Sequence, residues 1–183
     1  MQWSGIGMKG MCGLAGSLAV LVLAAGSAFA ASKDVGPTNA TCDGIAKDTV
    51  AWKTCAARLA SARHDAELFY AGYWLAKSGS YAEALDYLRK AESPDERILT
   101  YIGFATRKLG DVDGAMVFYN RALAKNPDYS VARAYMGEGF LARGEATKAV
   151  EQLGEIEKRC GKSCAEYADL AGHIENWRAG RRG

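Results

Sequence analysis

Beyond His64 apolar residues recur at helical spacing, and small residues recur with them at fixed distances. Leu68, Ala71, Gly72 and Leu75 form one apolar stripe, and Ala84, Leu85, Leu88 and Ala91 form the next, with Gly79 between them. Leu99, Ile102 and Gly103 lead to a break at Gly110, after which Ala115, Met116, Tyr119 and Ala122 run up to Asn126-Pro127. Met136, Gly137 and Phe140 lead to Gly144, and Ala149, Val150, Leu153 and Ile156 complete a third pair. The pattern predicts three helical hairpins. A glycine inside a helix costs about 1 kcal/mol against alanine, so its return at matched positions implies close helix packing.

The spacings define a period. Gly103 to Gly137 and Ala115 to Ala149 are each 34 residues, whereas Gly72 to Gly103 and Ala84 to Ala115 are each 31. The first unit is three residues short, and the shortening falls in Glu92-Ser93-Pro94-Asp95. A further 34 residues past Gly137 lies Ala171, flanked by Tyr167, Leu170 and Ile174, so the last helix copies the first half of a unit. Such units cannot bury their apolar faces alone and stack into an extended curved surface.

The ends carry different signals. Lys9 precedes an apolar run from about Leu14 to Ala25, and Ala28-Phe29-Ala30 is a small-x-small site of the kind a signal peptidase cuts after. We expect a leader at residues 1–30 and a mature chain from Ala31. The alternative is an uncleaved anchor from Cys12 to Ala31, weakly apolar for that role because of its Gly and Ala content. Cys12 lies ahead of the run, which argues against a lipid-modified cysteine at the cleavage point. The mature 153 residues suit one domain without a linker, and they carry 22 basic against 21 acidic residues. That near balance gives no reason to expect nucleic acid as a partner, and Arg178, Arg181 and Arg182 read as a solvated tail. We expect no stable membrane insertion after leader removal.

Export gives meaning to the four remaining cysteines, Cys42, Cys55, Cys160 and Cys164, because an oxidising compartment favours pairing. Four cysteines allow three pairings, and proximity favours Cys42 with Cys55 and Cys160 with Cys164. Gly161 supplies a helix stop, and Ser163 with Glu166 supplies a capping-box start, so the second bridge would clamp an interhelical turn. A straight helix from 42 to 55 would hold those cysteines about 20 Å apart. The chain must therefore double back before about Asp48, with a turn at Asp43-Gly44 and Asp48 as N-cap of a helix over Val50 to Ser61.

The period, the small residue in the first helix and the alanines on the second resemble the tetratricopeptide repeat, a unit of 34 residues built as two antiparallel helices. Pro127 matches the proline that closes a repeat, while Leu68, Leu99 and Arg133 stand where the family has a large aromatic. Cys42-Asp43-Gly44, Ala51-Trp52-Lys53-Thr54-Cys55 and the Cys160, Gly161, Cys164, Glu166, Tyr167 series resemble the flanks of small exported bacterial members. The resemblance implies an all-α helical-hairpin solenoid of about three units, with an N-terminal half-repeat helix and a C-terminal capping helix. We expect a disulfide-linked segment and helix over 31–63, repeats at about 65–95, 96–129 and 130–159 within 64–159, and a capping helix with basic tail over 160–183.

Catalytic chemistry finds few residues. His64 and His173 lack the neighbouring ligands of a zinc site or a hydrolase, and neither a GxSxG motif nor a phosphate-binding loop occurs. No metal, cofactor or enzymatic activity is expected. Thiol exchange or redox sensing at Cys160 and Cys164 is the alternative, but three residues separate them and no βαβ context surrounds them. Soft-metal binding by the pair would need further ligands, with His173 the visible candidate.

In the superfamily the first helix of each pair lines the concave face, and positions a turn either side of the small residue point into it. The resemblance places Phe69 and Tyr73, Thr100 and Phe104, and Ala134 and Glu138 there, with Lys77, Arg107 and Lys108 one turn further. Phe69, Tyr73 and Tyr101 replace the Lys, Asn and Arg with which some relatives clamp a terminal carboxylate, so that ligand class does not carry over. An aromatic and basic groove suits an extended protein or peptide segment. The competing reading has the aromatics complete packing between repeats, or the last helix fill the groove. The expected function is an exported, periplasmic or else secreted, adaptor.

Overall fold

In the computed structural model, which describes residues 41–180, helix α1 spans Val50–Lys77, α2 Tyr81–Leu88, α3 Glu96–Lys108, α4 Val112–Lys125, α5 Ser130–Ala142, α6 Ala146–Cys160 and α7 Ala165–Gly180. No strand occurs among these residues, and no described helix is long and apolar enough to cross a membrane. The expected leader and the end of the basic tail lie outside the described residues.

The expected breaks are three copies of one device. Gly79, Gly110 and Gly144 adopt φ of 91°, 100° and 79°, a left-handed conformation costly for any residue with a Cβ. The N–H groups of Ser80, Asp111 and Glu145 then reach back to the carbonyls of Leu75, Thr106 and Phe140 at 2.9, 3.2 and 2.9 Å. This satisfies carbonyls that a helix end would leave orphaned and reverses the chain within two residues. Asp95 and Asp111 then cap the following helices α3 and α4, accepting from the N–H groups of Ile98 at 2.9 Å and Gly114 at 2.8 Å.

Each hairpin closes on its small residues. Ala84, Ala115 and Ala149 are all fully buried. A Cβ added at Gly72 would fall 2.6 Å from Leu88 Cδ2 of α2, and one at Gly103 would fall 2.6 Å from the Tyr119 ring of α4. Gly137 is used differently, because its nearest neighbour is Leu170 of α7, also at 2.6 Å. Leu170 and Ile174 are buried, so α7 seats on α5 as the first helix of a further repeat would. Helices α1, α3, α5 and α7 thus stand side by side in one layer, and α2, α4 and α6 form the other.

The N-terminal helix runs further than its pattern indicated. The helix expected over Val50 to Ser61 continues without a break into the first repeat, and its N-cap is Thr49, whose side chain accepts from Trp52 N–H at 3.1 Å, not Asp48. Asp48 instead takes a positive φ of 67° and turns the chain into the helix. All buried residues of α1 lie between Asp65 and Ala76. The front of the helix is held by the Cys42–Cys55 bridge, with Cα atoms 6.0 Å apart, which folds residues 41–47 back over Trp52, Ala56 and Leu59. Cys160 and Cys164 form the second bridge, with Cα atoms 5.8 Å apart.

Candidate functional site: the α1–α3–α5–α7 face

The 31- and 34-residue spacings place Tyr70, Tyr101 and Tyr135 at one repeat position, and Tyr73, Phe104 and Glu138 at the position one turn on. In the structure Tyr73, Tyr101, Phe104 and Tyr135 build an aromatic row across three helices. Ring centroids lie 4.9 Å apart for Tyr73–Tyr101, 5.9 Å for Tyr101–Tyr135 and 4.7 Å for Phe104–Tyr135. Tyr73–Tyr101 and Tyr101–Tyr135 meet edge to face, the arrangement favoured by the ring quadrupole.

Burial divides the row into a floor and a surface. Phe69 and Tyr101 are 0% and 2% exposed, and Phe104 is 9% exposed. Phe69 lies under Tyr101 at 5.7 Å and under the Arg97 guanidinium at 4.9 Å. Thr100 and Ala134 are buried as well. Tyr73, Tyr70 and Tyr135 are half-buried, and Trp74, in ring contact with Tyr73 at 5.2 Å, is 66% exposed. The sequence reading did not single out Tyr70 or Tyr135 as candidate contacts, although the 31- and 34-residue steps from Tyr101 lead to both.

Cations frame one side of the row. Lys77 and Lys108 are exposed and share a repeat position, and Lys108 Nζ sits 5.6 Å from the Phe104 ring centroid. Arg107 is spent on the architecture: its Nη2 donates to Glu138 Oε2 at 2.7 Å, which ties α3 to α5, and its Nε donates to the Tyr119 hydroxyl at 3.4 Å. Burial acts to lower the Arg107 pKa, but Glu138 and Tyr119 outweigh it and hold the guanidinium above its ordinary value. Burial pushes the Tyr119 phenol up, so it stays neutral.

A cleft of about 300 Å³ opens where α3, α5 and α7 meet, lined by Arg107, Lys108, Glu138, Leu141, Ala142, His173 and Trp177. The Trp177 indole N–H donates to the Leu141 carbonyl at 3.1 Å, which fixes the end of α7 against α5. His173 Nε2 is 3.8 Å from Glu138 Oε1. The helix α7 therefore forms a wall of this cleft. His64 is exposed on α1.

Residues 107–174 match the family model of the tetratricopeptide repeat. Among curated protein sequences none matches significantly. Among solved structures the chain is similar to the type III secretion translocator chaperone SycD of Yersinia enterocolitica, with TM-score 0.54 and 15% identity over 64% of this chain and 85% of that one. An alternative dimer of SycD gives 0.55 at 16% identity over 66% and 96% of the two chains. SycD in complex with a peptide of the translocator YopD gives 0.52 at 16% identity over 63% and 92%. With the three glycine-closed hairpins and the helix that caps them, these matches show a helical-hairpin solenoid fold, in which residues 107–174 match the tetratricopeptide repeat.

Proposed function

We propose that the chain is a non-catalytic scaffold that captures a protein or peptide partner along the α1–α3–α5–α7 face. The observation that carries this reading is the aromatic row with Tyr73 and Tyr135 at its surface and two exposed lysines in register beside it. Half-buried rings whose backs are packed offer contact area at little conformational cost, and lysines at a rim steer acidic segments. Leu170 and Trp177 of α7 seat on Gly137 and Leu141 of α5, at one end of the row. That SycD has been solved with a peptide of YopD supports the same use of this fold.

The two disulfides support an oxidising compartment. Together with the leader read at residues 1–30, they support a mature chain in the periplasm or outside the cell, and the spacing supports repeats at about 65–95, 96–129 and 130–159. The Cys160–Cys164 bridge closes the turn between α6 and α7, which favours a structural clamp over thiol exchange.

Panning a random-peptide library against the full chain tests the reading. We expect an enriched sequence family whose binding weakens at least ~10-fold, or about 1.4 kcal/mol, in both Tyr73→Ala and the double variant Lys77→Glu/Lys108→Glu. Both lysines are exposed, so the double variant keeps the wild-type thermal melt. No enrichment, or wild-type binding by either variant, would overturn the site.

A further inference from the structure

The turn between α6 and α7 assembles more than a disulfide. Cys160 ends α6, Cys164 precedes α7, and Glu166 lies in the first turn of α7. One donor atom from each of these residues lies within 4.8 Å of the others, and all three residues are half-buried. Ser130 Oγ at the start of α5 stands 3.7 Å from Cys160 Sγ and adds an oxygen from a third helix. His173, the ligand the sequence offered, is not part of this group, whereas Glu166 brings a hard anionic oxygen beside two sulfurs.

We propose that, once the Cys160–Cys164 bridge is reduced, Cys160, Cys164 and Glu166 bind one divalent cation of the zinc class. The steps balance simply. A dithiol reductant delivers two electrons and two protons to the bridge and itself becomes a disulfide, leaving two thiols. The cation then takes both sulfurs as thiolates, two protons pass to solvent, and the Glu166 carboxylate gives the third bond, with water or Ser130 left for the fourth. Two sulfurs and one carboxylate suit a borderline-soft ion that accepts four donors. In either state the turn stays cross-linked, so α7 keeps its seat against Gly137 and Leu141 under oxidising and reducing conditions alike. This proposal does not depend on the peptide-binding face.

The test is an anaerobic Co(II) titration of the full chain, reduced with a phosphine that is then removed. We expect a sulfur-to-cobalt charge-transfer band that saturates at one equivalent, is displaced by zinc, and is missing from the oxidised protein. The Cys160→Ser/Cys164→Ser variant, which keeps Cys42 and Cys55, should lose the band. Removing a direct ligand costs at least what a supporting contact does, so Glu166→Gln should weaken Co(II) binding ~10-fold or more. No band in the reduced chain, an undiminished band in the double serine variant, or unchanged affinity in Glu166→Gln would each overturn the proposal.

Discussion

At the scale of single residues, the small positions of the hairpins follow one rule with an informative exception. Gly103 has Tyr119 ring atoms and the Ala115 carbonyl oxygen where its Cβ would go, the latter at 3.1 Å, so neither wall can yield easily. Gly154, inside α6, has nothing within 4 Å of that point. Gly103→Ala should therefore destabilise the fold by about 1–3 kcal/mol through overpacking. Gly154→Ala should stabilise it by about 0.5–1 kcal/mol through helix propensity. Urea denaturation of the two variants separates the cases, and equal effects would contradict the packing described. The recurrence of Gly72, Gly103 and Gly137 was legible in the chain because a costly residue returned on schedule. What it touched was not, since only the structure shows that Gly137 receives Leu170 from α7. The same limit explains Phe69: its repeat position points inward, yet Tyr101 and Arg97 cover it, and a pattern of positions does not say which of two neighbouring rings lies on top.

At the scale of elements, a second repeated device ties each hairpin to the connection that follows it. Asp65, Glu96 and Ser130 share a repeat position near the start of α1's packed half, α3 and α5. Asp65 accepts from the N–H groups of Glu92 and Ser93 at 2.9 and 2.8 Å. Glu96 accepts from the Asn126 side chain at 3.2 Å, and Ser130 meets Cys160 at 3.7 Å. The first link is the strongest because the shortened connection presents two backbone donors to one buried carboxylate. Asp65 is 5% exposed, so Asp65→Ala should cost about 2 kcal/mol, with Asp65→Asn costing less because one acceptor remains. Thermal or urea melts check the order, and an Ala variant as stable as wild type would contradict it. The length difference between units was visible in the sequence, but its partner was not, because nothing local marks Asp65 as more than a polar residue on a helix. The continuity of α1 was missed for a related reason. Residues 50–64 contribute no buried side chain, so that stretch carries no apolar stripe to announce that it joins the next.

At the scale of the whole described domain, the parts combine into one layer of helices that presents rings and lysines and another that presents scattered apolar side chains. Stacked units of this kind derive stability from neighbour contacts, which here include the Arg107–Glu138 pair at 2.7 Å and the seat of α7. The fold class was legible in the helical apolar pattern, the period and the repeat they resemble. The surface did not, since tyrosines at one repeat position are equally consistent with packing and with contact until their exposure is known. The most direct measurement is a chemical-shift map of the isotope-labelled chain titrated with the tightest peptide selected from the library. Binding on the α1–α3–α5–α7 face predicts shifts at Tyr73, Lys108, Tyr135 and Trp177, with exposed Tyr87, Val117 and Val150 of α2, α4 and α6 unmoved. Shifts gathered on Tyr87, Val117 and Val150, with the aromatic row silent, would contradict it.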